Sequence, residues 1–217
     1  MSNAGLCWSA LPEPWRRCLL LAWASFQSGD MPVGAVVVDR VGTVVSSGRT
    51  RQLGHVAPAG QLAGTRLAHA EVNALAVLPP ADYSDHTMYT SLEPCLLCTA
   101  ALTHSHVGSV RFAAADPLWG GLHRLPEIND HVALRWTTRI GPLGGPVETL
   151  AGLLPLATIM ERNPDHRAIV SFQRDAAWLV DLARQLVCTG LLGDLRQMPL
   201  ADGLDRLWDR LSNAQTV

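Results

Sequence analysis

His69-Ala70-Glu71 places an imidazole and a carboxylate within one turn of chain, and Pro94-Cys95-Leu96-Leu97-Cys98 places two thiols within another. One imidazole and two thiolates are donors that zinc prefers. Three protein ligands leave the fourth tetrahedral position to water, as in catalytic rather than structural zinc sites. A Cys-x-x-Cys opening a helix suits the ion, because the free N–H groups of the first turn favour thiolates and one helical turn brings both sulfurs to one metal. His69, Cys95 and Cys98 are therefore read as the ligands of one Zn2+ per subunit.

Glu71 stands two residues from His69, close enough to reach a zinc-activated water without ligating the ion, and is read as the proton carrier. Bound zinc lowers the pKa of water to roughly 7, giving a hydroxide that attacks a ring carbon bearing an amino group. Protons returned to the ring nitrogen and the departing amine release ammonia and leave a carbonyl. The competing reading is a zinc scaffold whose site is closed by a fourth protein ligand. His55, His104 and His106 are the candidates, and none is assigned, since an i, i+2 pair is more simply a helix end. Cys7, Cys18 and Cys188 are read as structural.

The elements that must position these residues follow from periodicity and turn signals. Pro14 to about Phe26 reads as a helix stopped by Ser28, Gly29, Asp30 and Pro32; Val33 to Val38 and Thr43 to Ser46 read as a β-hairpin. Gly34 and Ala35, small residues in a strand, are expected to admit a ligand. Gly48 to Thr65 reads as a long loop. Ala68 to Leu78 and Pro94 to Thr103 read as helices carrying the two motifs, with strands at Thr87 to Ser91 and Val107 to Ala113. Asp116 to Gly121 is a loop whose Trp119 is expected to stack on a base, with Asp116 at the same mouth. Asn73 is left outside the site as a mid-helix residue.

Beyond Pro146 the pattern changes: Val147 to Met160, Asp165 to Val187 and Leu200 to Leu211 carry apolar residues at helical spacing. The reading is an α/β fold over 1–146 with a helical C-terminal extension over 147–217, packed on the core or on a second subunit. Met1-Ser2-Asn3-Ala4 is set aside as an expression remnant.

The 17 basic residues are all Arg, and against 19 acidic ones they leave a net charge of −2 with no basic stripe for bulk nucleic-acid binding. Five cysteines, two of them in a Cys-x-x-Cys, fit a reducing cytoplasm better than a secreted disulfide framework. Arg16 and Arg17 ahead of an apolar run imitate an export signal, but the run is far too short to span a membrane.

H-x-E followed by P-C-x-x-C marks zinc nucleobase deaminases, and the chain resembles the cytidine deaminase-like superfamily. Within it, the chain is similar to the tRNA adenosine deaminase and guanine deaminase branch through Met31-Pro32-Val33-Gly34-Ala35-Val36, His69 to Leu75, Tyr89 to Cys95, Cys98 to Ser105 and Val110-Arg111-Phe112. The resemblance covers roughly residues 14 to 121. It implies a three-layer α/β/α fold with a central mixed sheet, a homodimer, and a Cys95 backbone N–H that assists the tetrahedral intermediate. Where tRNA adenosine deaminases commonly place an Asn after the second strand, this chain has Thr50, read as substrate-binding. That departure, with the missing basic C-terminal helix, turns the expectation from tRNA toward a free base, nucleoside or related small heterocycle. A closed pocket covered by the C-terminal helices would favour the small molecule, and a basic groove would favour tRNA.

Overall fold

The computed structural model describes residues 2–213. α2 (Glu13–Gln27) begins where Pro14 meets the first turn without losing a needed N–H, and it ends at Ser28 and Gly29, whose φ of 74° closes the turn. It buries Trp15, Cys18, Leu19, Ala22, Trp23 and Phe26 at helical spacing. β1 (Gly34–Val38) is buried throughout, as its run of β-branched residues predicts, and pairs antiparallel with β2 (Val44–Arg49). In the connecting turn Asp39 Oδ1 accepts from the N–H groups of Val41 and Thr43.

α3 (Ala70–Ala76), β3 (Thr87–Leu92), α4 (Leu96–Ser105), β4 (Ser109–Ala114) and β5 (Thr138–Ile140) complete the α/β part. The sheet order is β2-β1-β3-β4-β5, antiparallel across β2, β1 and β3 and parallel across β3, β4 and β5. It is the expected mixed sheet between two layers of helices. One face buries Ala35, Val37, Met88 and Val110 against Ala70, Ala74 and Leu102 of α3 and α4. The other packs Trp15, Trp23, Ala113 and Ala114 with α6 (Gly145–Arg162) and α8 (Ala177–Cys188).

Several elements differ from the sequence expectation. Residues set aside as a remnant take part in the fold: Ser2 Oγ caps α1 (Asn3–Ala10) by accepting from Gly5 N–H, and Ala4 is buried. The segment after Trp119 forms two short 3-10 turns and α5 (Asp130–Leu134), leading into β5, which the sequence does not announce because it is three residues long and half exposed. The stretch expected as one helix from Asp165 is two, α7 (Arg167–Asp175) and α8, broken where Ala176 takes an extended φ of −152°. α9 (Leu191–Arg196) and α10 (Leu200–Asn213) follow. No described helix is long and apolar enough to cross a membrane.

Candidate active site

His69 and Cys95 are the N-cap residues of α3 and α4, so both motifs sit where helix N–H groups are free. Gly48 makes the approach of α3 possible: a Cβ there would stand 2.3 Å from Ala70 O and 2.4 Å from Ala74 N, so the helix lies directly on β2. Asn73, expected to be solvated, is fully buried and latches the long loop, accepting from Leu62 N–H and donating to Arg49 O and Leu62 O.

His69 Nδ1 lies 3.6 Å from Cys95 Sγ and 3.5 Å from Cys98 Sγ, and the two sulfurs are 3.6 Å apart. Tetrahedral zinc with ordinary bond lengths has S···N edges of about 3.6 Å and S···S edges of about 3.8 Å. The three donors therefore already stand at the corners of a zinc face. No fourth protein ligand joins this group among the described residues. His106 instead closes α4 in a left-handed conformation and pairs with Asp82.

The charges in the cluster are strongly coupled. Cys95 is pushed down to about 4, first by its hydrogen bond with Cys98 and then by the one with His69, against a burial that works the other way. The same shared bond, with burial, holds Cys98 in its protonated form. One imidazole and two thiols this close together are suited to a metal, which binds the deprotonated sulfurs. Glu71 is 3% exposed; burial, then the negative Cys95, raises its pKa. Its Oε1 accepts from Thr90 Oγ1 and its Oε2 from Cys98 Sγ, both at 3.3 Å, which fixes the carboxylate beside the donors.

A cavity of about 340 Å³ opens on this cluster, its walls including His69, Glu71 and Cys95. Thr50 and Trp119 line it. Thr50 N–H donates to Val33 O and its carbonyl accepts from Ser25 Oγ, leaving the hydroxyl as the group it offers. Gly34 and Ala35 do not belong to the wall. A Cβ at Gly34 would stand 2.2 Å from Cys18 O, so the small residue serves the packing of α2 on β1, while Ala35 is fully buried toward α3. Cys18 is structural, its Sγ donating to Gly34 O.

The wall also contains residues that the sequence reading missed. Ile159 of α6, with Arg167 and Phe172 of α7, comes from beyond residue 145. A tertiary contact of this kind leaves no local signal. Glu93 also lines the cavity, as does Asp116, which was expected at its mouth; burial pushes the Asp116 carboxyl up to about 7, offset by the Leu118 N–H bond and reinforced by the negative charge of Glu93. The Glu93-Pro94-Cys95 turn was legible as a motif, but the partner of Glu93, Arg139, was not.

Residues 13–114 match the family described as the cytidine and deoxycytidylate deaminase zinc-binding region. Among curated proteins, the tRNA-specific adenosine deaminase of Rickettsia bellii is 30% identical over 49% of this chain and 72% of its own length. The tRNA(Ile)-lysidine synthase of Deinococcus radiodurans is 32% identical over 66% of this chain, a stretch that spans only 24% of that protein. A chain solved in complex with 2,6-diaminopurine is 25% identical, with a TM-score of 0.51 over 68% of this chain and 82% of that one.

Proposed function

Because this chain belongs to the cytidine deaminase-like family of zinc-dependent deaminases, enzymes of hydrolytic C–N cleavage, we propose that it removes the exocyclic amino group of a free nucleobase, nucleoside or related small heterocycle. His69, Cys95 and Cys98 would hold the zinc, and a zinc bound there would supply a water whose pKa is lowered to about 7.

The chain's own residues do the rest. Glu71, held by Thr90, accepts the proton of the attacking water and returns protons to the ring nitrogen and the leaving amine. One water is consumed, one ammonia leaves, and the ring keeps a carbonyl. The Cys95 backbone N–H, at the opening of α4 and on the cavity wall, steadies the oxygen of the tetrahedral intermediate. Thr50 and Trp119 hold the ring, the first by hydrogen bonding and the second by stacking.

The small-molecule reading rests on one observation: α6 and α7 wall the cavity with Pro155, Leu156, Ile159 and Phe172, and its volume is at the lower end of small-molecule sites, which run from roughly 300 to 1,000 Å³. The 2,6-diaminopurine bound by the solved relative favours an amino-substituted purine within that class. A tRNA substrate is the second reading, favoured by the Rickettsia relative.

The test is ammonia release by zinc-loaded protein against bases, nucleosides, amino-substituted heterocycles and tRNA, beside Glu71→Ala. Glu71-dependent release from a small heterocycle supports the proposal. Release from tRNA alone turns it to the second reading, and none from any substrate overturns the deaminase assignment.

A further inference from the structure

We propose that Arg139, on the edge strand β5, is a positioning residue for the turn that delivers the metal ligands, an inference that rests on the zinc reading above. Its guanidinium is 10% exposed and forks onto the chain on both sides of Cys95. Nη2 donates to Glu93 Oε1 at 2.8 Å and to Pro94 O at 3.4 Å, and Nη1 donates to Thr99 Oγ1 at 3.1 Å. Thr99 Oγ1 in turn donates to Pro94 O at 3.2 Å, so that carbonyl is held from two directions. The Phe112 ring lies under the cation, 5.9 Å from its centre.

The link continues to the substrate wall. The second oxygen of Glu93, Oε2, accepts from Asp116 N–H at 3.2 Å, and Asp116 Oδ1 caps the short turn that carries Trp119. One guanidinium thus ties the ligand turn, the first turn of α4 and the loop bearing Trp119. Arginine is suited to this because its planar fork presents several donors in fixed directions, where a lysine offers one mobile point charge. Arg139 also lies outside residues 13–114, so the metal motif is braced by a strand that the family match does not reach.

The test compares zinc-loaded wild type with Arg139→Met, Arg139→Lys, Glu93→Gln and the Arg139→Met/Glu93→Gln pair. Rates of zinc loss to excess chelator, kcat and KM on whichever substrate releases ammonia, and thermal melts are recorded together. Partners beyond the ligands tune metal affinity by roughly 10- to 100-fold, so Arg139→Met is expected to shed zinc faster by that factor and to raise KM, with Arg139→Lys recovering part of the loss. The double variant is expected to lose no more than the worse single one, since both break one link.

If Arg139→Met does not fold, Glu93→Gln, which keeps the side-chain volume, carries the same expectation. Zinc retained equally by wild type and the folded variants overturns this inference and leaves the deaminase reading standing, as does a double variant whose losses add. A wild type that takes up no zinc overturns both.

Discussion

The segment from β1 to β4 and the helices beyond residue 145 face each other across one cavity, yet they hold it in different ways. The first contributes groups that must be of one kind at one place: an imidazole, two thiols and a buried carboxylate, fixed at two helix N-termini and by Thr90. The second contributes mainly shape, through Ile159, Phe172 and neighbours whose backbones are held by an apolar cluster shared with α2. Chemistry is demanding about residue type, whereas a wall is demanding about volume. The expectation is that substitutions in the first region act on turnover and those at the wall on substrate choice.

Glu71→Gln should separate the two most sharply. It keeps the size of the side chain and all three metal donors but cannot carry the proton, so kcat is expected to fall by roughly 10²- to 10⁴-fold with zinc content unchanged by metal analysis. A fall in KM-controlled binding with kcat intact would place Glu71 with the wall and break the comparison.

Trp119→Ala should have the next largest effect and the opposite signature. Stacking of a base on an aromatic ring contributes about 1–3 kcal/mol, so KM is expected to rise by roughly five- to 150-fold while zinc content and kcat hold. Steady-state kinetics on one heterocycle is enough to check this. An effect confined to kcat would mean that the loop from Asp116 serves the chemistry rather than the fit.

The same contrast accounts for what could be read from the sequence. H-x-E and P-C-x-x-C were legible because ligand geometry dictates both residue type and spacing, α2 because burial on one side imposes a helical period, and β1 because a strand buried on both faces is a continuous β-branched run. The roles of Gly34 and Gly48 were not. Glycine in a strand signals only close approach, and only the structure says that the approaching groups are α2 and α3 rather than a ligand. β5 was invisible because three residues are too few to show a period, and the break at Ala176 has no proline or glycine to mark it. Ile159, Arg167 and Phe172 reach the cavity only by tertiary packing.

Asp116 lies where the two regions meet, and its ionisation gives a smaller effect. Its carboxyl stands at about 7 in the folded chain against 3.8 as an ordinary aspartate, chiefly through burial. The folded state therefore binds this proton more tightly than the unfolded one. The stability it contributes is fully present below about pH 4 and is lost as the pH rises toward about 7. Asp116→Asn is expected to flatten that decline, read as the pH dependence of the denaturation midpoint. An unchanged slope would mean that the carboxylate is ionised in the folded protein.

The smallest effect is expected at Thr50, and it tests the comparison from within, because Thr50 follows β2 in the region assigned to chemistry. Its N–H and carbonyl are spent on Val33 and Ser25, and the residue lines the cavity, so its hydroxyl is the group left to offer a ligand. Valine has nearly the same shape, so Thr50→Val leaves the backbone contacts and the packing of Ser25 in place and removes one hydrogen-bonding group. A hydrogen bond of this kind contributes about 0.5–1.5 kcal/mol, so KM should rise by roughly two- to tenfold. kcat, zinc content and melting temperature should stay at their wild-type values. That outcome would mean the two roles are divided by which groups face the ring, and not by position along the chain. A drop in kcat of tenfold or more would instead place the hydroxyl among the groups that steer protons, and the boundary between chemistry and fit would run through the far side of the cavity.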